Sequence, residues 1–294
     1  MNSVVSIVKT DDITKSVSKA IEQVGGLGIE EGDTVVIKPN AKHQILPGYG
    51  VVTDPRIVDA IIEFVYKYKP SKIKIAEGAC YPSGAYDTLS AFESTGITDI
   101  AKKWDLELVD LNGWDSVDID LVEGLVLDWV RVGRSVIEAI YIINIPVLKT
   151  HRSTLITACL KNIGMGCAVR EEKKRIHRLG LDGGIVDVYS IVKPSFNIVD
   201  AIVALEGDGP NYPPGKPKQM GLVIAGSDGL AVDVVCCNIM GIDPMKVKHL
   251  RLANQKGLGN IDLQNIDLVG IGLNDAVNEF ELPSTFQDSV RAHL

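Results

Sequence analysis

The chain has 294 residues, of which 46 % are hydrophobic and 23 % are charged, and its formal net charge is −8. This length and composition are typical of one large α/β unit or two closely packed ones, and the negative charge argues against nucleic acid and anionic membranes as partners. The N-terminus lacks a signal-peptide pattern and no apolar run reaches about 18 residues, so we expect no membrane span and a cytoplasmic location.

The cysteines show no metal-binding pattern. Their odd number and apolar surroundings predict reduced thiols, as expected in a cytoplasm. No C-x-x-C pair occurs, so we expect no iron–sulfur cluster and no structural zinc from this chain alone. The five cysteines are Cys80, Cys159, Cys167, Cys236 and Cys237.

The first half of the sequence alternates predicted strands and helices. This alternation argues for a mixed, mostly parallel sheet with helices on both faces, in Rossmann-like layers. In chain order the predictions are strand 4–9, helix 11–24 capped by Asp11 or Asp12, strand 34–37, a helix from Pro55 capped by Asp54, strand 72–76, helical material to 104, strand 107–111 and a hairpin within 117–132.

The tip of the third predicted element carries Lys38-Pro39-Asn40. Proline cannot donate a hydrogen bond to a sheet, so the strand ends there and presents Lys38 and Asn40. Lys38 is either a solvated strand end or a functional lysine that binds an anion. A long loop with His43 follows it.

The central stretch 141–166 organises the rest of the chain. We predict a buried strand over 141–148, a polar switch of Lys149, Thr150 and His151, and an amphipathic helix over 153–163 that ends at glycine. One face of this helix is small and polar, as in the wall of a cleft. That face carries Thr154, Thr157, Ala158 and Lys161.

A strand that leads into a helix places its last residues at the carboxyl edge of a sheet, beside free backbone N–H groups. Ligands of open α/β sheets bind at this edge, and anions bind at helix N-termini. Lys149 and His151 would add positive charge or proton transfer there. The alternative is a helix cap with two incidental basic residues.

Several segments of the second half also attract attention. The charged run 170–178, which contains His177, is either a solvated segment or a mobile lid over an anion. If the strand that starts at 196 continues, Asp200 and Glu206 share a face. The backbone at Gly207 to Gly209 is either an anion nest or a plain connection.

The remaining predicted elements complete the α/β pattern. They are helix 184–192, strand 221–225, a helix capped by Ser227 or Asp228, helix 247–255, strand 266–269 and a peripheral tail. Asp233 lies in an apolar helix and must have partners, because an isolated buried charge is very costly. We expect Asp233 either to stabilise the fold or to position residues that line the site.

These segments resemble an uncharacterised family, the domain of unknown function 362, along nearly the whole chain. The family has no agreed activity, so the resemblance implies little about function. Members with ferredoxin-like cysteine modules are associated with iron–sulfur clusters, and this chain lacks those cysteines. The matching segments are 36–40, 53–55, INIPVLKTH (143–151), TACLKNIG (157–164), His177, IVDAIVALEGDGP (198–210), Ser227-Asp228 with Asp233, and 256–259.

We therefore expect a single α/β unit over 1–294, or two halves over 1–140 and 141–275 with a tail at 276–294. The expected catalytic residues are His151, Lys149 and His177. The expected substrate-binding residues are Lys38, Asn40, Thr157, Lys161, Asn162, Gly207 and Gly209. Asp200 and Glu206 are candidate ligands of a divalent cation, for which oxygen ligands favour Mg²⁺ or Mn²⁺ over Zn²⁺.

Three functions agree with this pattern. The first is an enzyme that acts on a small carboxylate or phosphate ester by acid/base chemistry, either as an isomerase or racemase with His151 and His177 as opposed bases, or with a divalent metal. The second is a redox accessory protein that binds a flavin or an iron–sulfur partner. The third is a non-catalytic anion-binding protein, in which both histidines keep ordinary pKa values. The oligomeric state stays open, with a homodimer as one option.

Overall fold

The computed structural model describes residues 2–42, 46–79, 88–113, 115–210 and 215–292. His43, Cys80 and the other residues of 80–87, which follow the predicted strand 72–76, lie outside the described residues, as does part of the loop after Glu206. The described residues form an α/β fold with a large mixed sheet, which confirms the predicted fold class. None of the described helices is both long and apolar enough to cross a membrane.

Ten of the described strands form one sheet, and the remaining two form a separate hairpin, β5–β6. The strands are β1 (Ser3–Lys9), β2 (Thr34–Lys38), β3 (Lys72–Glu77), β4 (Glu107–Asp110), β5 (Ser116–Asp120), β6 (Trp129–Gly133), β7 (Tyr141–Asn144), β8 (Val147–His151), β9 (Leu155–Thr157), β10 (Phe196–Glu206), β11 (Lys216–Gly226) and β12 (Ile266–Gly270).

The strand order along the sheet is β12-β1-β11-β10-β7-β2-β3-β4. The pairings from β10 to β4 are all parallel, whereas β11 pairs antiparallel with both β1 and β10. From β2 the chain adds β3 and β4 on one side and later β7 and β10 on the other. The direction of strand addition therefore reverses between β2 and β7, and crevices at such reversals are where open α/β sheets bind ligands.

Helices cover both faces of the sheet. They are α1 (Ile13–Gln23), α2 (Pro55–Tyr66), α3 (Thr88–Ser94), α4 (Ile97–Trp104), α5 (Arg134–Ile137), α6 (Cys159–Gly166), α7 (Arg170–Leu179), α8 (Leu181–Ile191), α9 (Gly229–Ile239), α10 (Lys248–Gln255) and α11 (Leu273–Ala276), with short 3₁₀ turns at Pro244–Lys246, Leu263–Asn265 and Asp288–Val290.

Two hydrophobic cores lie on opposite faces of the sheet, because successive residues of a strand point to opposite sides. In β2, Val35 and Ile37 join the core formed with α1, α2 and α4, whereas Val36 joins the core formed with α6, α8, α9 and α10. Strands buried on both faces read as continuous apolar runs, which is how they appear in the sequence.

The central stretch differs from its prediction. The expected strand over 141–148 is two strands, β7 and β8, and the expected helix over 153–163 is a hairpin strand, β9, followed by α6. The β-branched residues of β9 favour a strand. The start of α6 is fixed from a distance, because Asp233 of α9 accepts hydrogen bonds from the N–H groups of Cys159 (2.6 Å) and Leu160 (3.0 Å).

Other local predictions agree more closely. Asp12, Asp54 and Asp228 cap their helices as expected. The ten-stranded sheet contains strands from both proposed halves, and the domain division stays a prediction. The tail is less peripheral than expected, since Phe280 is buried and its N–H donates to the carbonyl of Met240.

Candidate functional site

A cavity of about 410 Å³ lies at the carboxyl ends of the central parallel strands. Asn40 follows β2, Glu77 ends β3, and Lys149 belongs to β8, which the chain enters directly after β7. The cavity therefore sits at the reversal between β2 and β7, where the topology favours a ligand site.

The β8–β9 hairpin places three predicted site residues on one face. Lys149 and His151 are two residues apart on β8, so their side chains point the same way. Thr157 of β9 lies directly opposite Lys149, and all three residues line the cavity. Leu155, opposite His151, has a φ of 65°, a left-handed conformation that is uncommon outside glycine. The backbone of the hairpin is therefore strained at the start of β9.

Lys149 is a buried lysine of the site, with 2 % of its surface exposed. Its Nζ donates to Asn40 Oδ1 and to the carbonyl of Val51, both at 2.6 Å. Burial, with the charges of Lys42 and Lys38, lowers the pKa of Lys149 to about 7, although Glu77 and Asp200 act in the opposite direction. Lys149 is therefore poised to change charge near neutral pH.

His151 is also buried, and its tautomer is fixed. Nδ1 accepts a hydrogen bond from the N–H of Ser153 (3.1 Å), so the neutral ring carries its proton on Nε2. Burial, followed by the charges of Lys161, Lys42 and Lys149, lowers the pKa of His151 far below its usual range. At neutral pH this histidine is an uncharged hydrogen-bonding group.

Helix α6 contributes Lys161 and Asn162 to the cavity. Lys161 Nζ donates to Thr154 Oγ1 (2.9 Å). Asn162 Oδ1 accepts from Asn40 Nδ2 (2.8 Å), and its amide nitrogen donates to Asn144 Oδ1 (2.8 Å). Because a hairpin rather than a helix joins β8 to α6, Lys161 is close enough to His151 to lower its pKa.

The charged run 170–178 is helix α7, which forms a wall of the cavity. Lys173, Lys174 and His177 lie three, four and seven residues after Arg170, so the four residues share a helix face. Lys173 Nζ donates to the carbonyl of Gly78 (2.6 Å) and to Asn112 Oδ1 (2.7 Å), which ties the helix to the end of β3. Burial, Lys161 and Lys42 lower the pKa of His177.

Lys38 lies behind the cavity wall and does not line it. Its Nζ forms an ion pair with Glu77 (2.9 Å), and both side chains are almost completely buried. Glu77 also accepts from the N–H groups of Ala41 (3.1 Å) and Gly78 (2.8 Å). The structure thus gives Lys38 a structural contact where we expected contact with an anion.

Two predicted substrate-binding residues, Gly207 and Gly209, do not line the cavity. The carbonyl of Gly207 accepts from Thr150 Oγ1 (2.6 Å), and Gly209 packs against the backbone of Thr150. Glycine is required at 209, since a Cβ there would approach the Thr150 carbonyl oxygen to 2.6 Å. The loop is thus packed against β8.

The two candidate metal ligands have separate partners. Asp200 accepts from the N–H groups of Asp54 (2.8 Å) and Ile202 (3.1 Å), and Glu206 pairs with Lys218 (2.9 Å). Strand β10 does continue past Asp200, but its register shifts between 201 and 203, so even spacing no longer places both carboxylates on one face. Within the described ranges, no three His, Cys, Asp or Glu residues cluster as metal ligands would. A role for Mg²⁺ or Mn²⁺ stays a prediction.

Several residues of the cavity were missed by sequence reasoning. Glu77-Gly78 ends a buried strand, as Lys38-Pro39-Asn40 does, and the same signal could have identified it. Treating the charged run as a helix would have grouped its basic residues on one face. Of the described lining residues, six are cationic and one is a carboxylate. They are Lys42, Lys149, Lys161, Arg170, Lys173 and Lys174, with Glu77.

The chain matches the model of a known protein family over more than half of its length. The model of the family described as Domain of unknown function (DUF362) matches residues 35–238, which is more than half of the chain. The chain therefore belongs to this family, which confirms the resemblance seen in the sequence.

Two examples show what this chain is similar to. Thylakoid-associated protein sll1697 of Synechocystis sp. is 27 % identical over 252 residues, which cover 83 % of this chain and 74 % of that protein. Among solved structures, the lactate racemase apoprotein from Thermoanaerobacterium thermosaccharolyticum superposes with a TM-score of 0.43 and 12 % identity. The superposition covers 81 % of this chain and 57 % of the racemase chain, so this chain spans little more than half of that protein.

Proposed function

We propose that this protein is an enzyme that binds a small anionic metabolite, a carboxylate or a phosphate ester, in the cavity and acts on it by acid/base chemistry. The observation that carries the proposal is the composition of the wall: among the described lining residues, five lysines and one arginine accompany a single carboxylate. That carboxylate, Glu77, is paired with Lys38. The cavity is therefore strongly positive in a protein whose net charge is −8.

The geometry supports distinct roles for the residues around the anion. Lys161 and the basic face of α7 neutralise its charge. Lys149, whose pKa lies near 7, is the group that gains or loses a proton. His151 donates a hydrogen bond from Nε2. This assignment moves the proton transfer from His151, where we first expected it, to Lys149.

An isomerase or racemase reaction suits this arrangement, because His177 of α7 and Lys149 of β8 approach the cavity from different elements. The lowered pKa values of both histidines favour an enzyme over a plain anion-binding protein, in which the pKa values would be ordinary. A divalent metal, a flavin or iron–sulfur partner, and a cytoplasmic location remain open parts of the proposal. Colour and metal content of the purified protein test the redox and metal alternatives.

The first experiment is a thermal-shift series with lactate, malate, citrate and inorganic phosphate. A ligand at 100 times its Kd stabilises a protein by about 2.7 kcal/mol, which is about 4 °C for a chain of 294 residues. We expect at least one anion to produce such a shift, Lys161→Met to reduce it strongly, and Lys193→Met, which changes an exposed lysine outside the cavity, to leave it intact.

The second experiment separates an enzyme from a binding protein. A stabilising carboxylate such as lactate or malate is incubated with the protein in D₂O, and the C–H signal beside its carboxylate group is followed by NMR. Acid/base isomerisation exchanges this hydrogen for deuterium, and Lys149→Met should abolish the exchange. Stabilisation without exchange would favour the binding protein, and no stabilisation by any of the anions would refute the proposal.

A further inference from the structure

Within the part of the chain that the structure describes, Lys149 donates its hydrogen bonds to uncharged acceptors. Among the described residues, Nζ donates two hydrogen bonds, to Asn40 Oδ1 and to the carbonyl of Val51, both at 2.6 Å, as the two N–H groups of a neutral amine can. Both acceptors are neutral. The remaining tetrahedral position of Nζ is where a third N–H or the lone pair must be, and Lys149 lines the cavity.

The side-chain amide of Asn40, which accepts one of these hydrogen bonds, has a fixed orientation. Asn40 Nδ2 donates to Asn162 Oδ1 (2.8 Å), and Asn162 in turn donates to Asn144 Oδ1 (2.8 Å). The amide of Asn40 must therefore present its oxygen, and not its nitrogen, to Lys149. Two N–H groups of Lys149 therefore point toward Asn40 and Val51, and neither of them occupies the remaining position of Nζ.

The neighbouring lysines differ from Lys149 in their partners. Lys38 forms an ion pair with the Glu77 carboxylate (2.9 Å), whereas the acceptors that Lys149 contacts are a neutral amide and a backbone carbonyl. Lysines that are desolvated, or that lie beside other cations, are the ones that act as nucleophiles toward carbonyl groups. Lys149 meets both conditions, because it is buried and its charge is opposed by Lys42 and Lys38.

We propose that Lys149 is a nucleophile that condenses with the carbonyl group of a small oxo acid and forms an imine. The inference rests on the proposed function and deepens it by naming the substrate class. The lone pair of Nζ adds to the carbonyl carbon, and the electron pair of the C=O bond moves to oxygen, which takes a proton. The nitrogen loses a proton, the hydroxyl group leaves as water after a second protonation, and a protonated imine remains.

His151 lies on the same face of β8 as Lys149 and carries its proton on Nε2. We assign this N–H as the hydrogen-bond donor to the oxygen of the adding carbonyl. The carboxylate of the oxo acid would contact the cationic wall that includes Lys161 and Arg170. The anion thereby holds its carbonyl group beside the amine.

The test is reductive trapping of the intact protein. Glyoxylate and pyruvate are each added with sodium cyanoborohydride, and the adduct is located by peptide mass spectrometry, with lactate as the anion that lacks a carbonyl group. At pH 7 we expect the dominant adduct to be on Lys149 with both oxo acids, and no adduct with lactate. Lys149→Met should lose the adduct, whereas Lys193→Met should retain it.

The pH profile provides a readout that needs no variant. At pH 7 an ordinary lysine is about a thousandfold less often uncharged than one with a pKa of about 7. Trapping at Lys149 should therefore rise between pH 6 and 8 and then level off, whereas trapping at exposed lysines should rise toward pH 10. The charges that face Lys149 and set this midpoint are Lys42, Lys38, Glu77 and Asp200.

The outcomes separate this inference from the proposed function. A thermal shift by pyruvate without an adduct on Lys149 would overturn the imine and leave the anion site standing. Adducts spread over exposed lysines, with a profile rising to pH 10, would overturn it as well. If neither oxo acid shifts the melting temperature or forms an adduct, the inference fails, and the proposed function fails with it only if the other anions also have no effect.

Discussion

Replacing Lys38 by methionine distinguishes a structural lysine from a ligand-binding one. The side chain is buried and its Nζ lies 2.9 Å from Glu77. Methionine has nearly the same length but no charge, so Lys38→Met leaves the Glu77 carboxylate buried without its ion-pair partner. Two backbone donors remain, the N–H groups of Ala41 and Gly78.

The size of the effect follows from this geometry. Removing one partner of a buried ion pair destabilises a protein by about 3–5 kcal/mol. Because two N–H groups still donate to Glu77, we expect the lower end of this range, about 3 kcal/mol. The entropy of unfolding for 294 residues is about 0.6 kcal/mol per kelvin, so the melting temperature should fall by about 5 °C.

Urea unfolding of the wild type, Lys38→Met, Glu77→Gln and the double variant measures the coupling between the two side chains. We expect the double variant to lose less stability than the two single losses combined, because it leaves no unpaired buried charge. Lys38→Met should still show a thermal shift with the stabilising anion. A variant as stable as the wild type that no longer binds the anion would refute the structural role of Lys38.

Three further predictions follow from buried polar groups. Thr157 Oγ1 has no partner among the described residues, so Thr157→Val should leave stability unchanged or raise it by up to about 1 kcal/mol, and a larger loss in urea unfolding would contradict this. Asp233→Ala should destabilise the protein by at least about 2 kcal/mol, because it removes the acceptor of the Cys159 and Leu160 N–H groups at the start of α6, and a stable but inactive variant would contradict the structural role. The folded-state pKa of Lys149 lies below its unfolded value, so the folded state binds fewer protons between about pH 7 and 10. The stability of the wild type relative to Lys149→Met should therefore rise with pH, by up to about 1.4 kcal/mol per pH unit. Urea unfolding at pH 7 and 9 measures this difference.

Local signals in the sequence predicted much of the fold. Asp54 followed by Pro55 marked the start of α2, and the apolar runs at Thr34–Lys38 and Tyr141–Asn144 marked strands of the parallel sheet. The rule that ligands bind at the carboxyl ends of such strands led to Asn40 and Lys149, which line one cavity. The predictions of these strands and of the start of α2 succeeded because each depends on neighbouring residues, whereas the roles of Asn40 and Lys149 toward a ligand stay predictions.

The errors arose where distant residues decide the structure. The helical spacing of the apolar residues in 153–163 favoured a helix, but the hairpin with β8 and the cap from Asp233 limit the helix to Cys159–Gly166. Spacing alone could not show that Glu77 pairs with Lys38, since the two residues are on different strands. Lys42 and Lys173 belong to the cavity through the same long-range packing.

A chain of hydrogen-bonded amides connects the core to the amine of Lys149. Asn144 Nδ2 donates to Asn197 Oδ1 (2.9 Å), Asn162 donates to Asn144, and Asn40 donates to Asn162 and accepts from Lys149. Each amide has one oxygen and one nitrogen end, so the orientation of the first fixes that of the last. Because β7, β10 and α6 supply the interior members, the packing of the sheet against α6 determines which atom Asn40 presents to Lys149. The fold thus controls the chemistry of Lys149 through residues that lie outside the cavity as well as through those that line it.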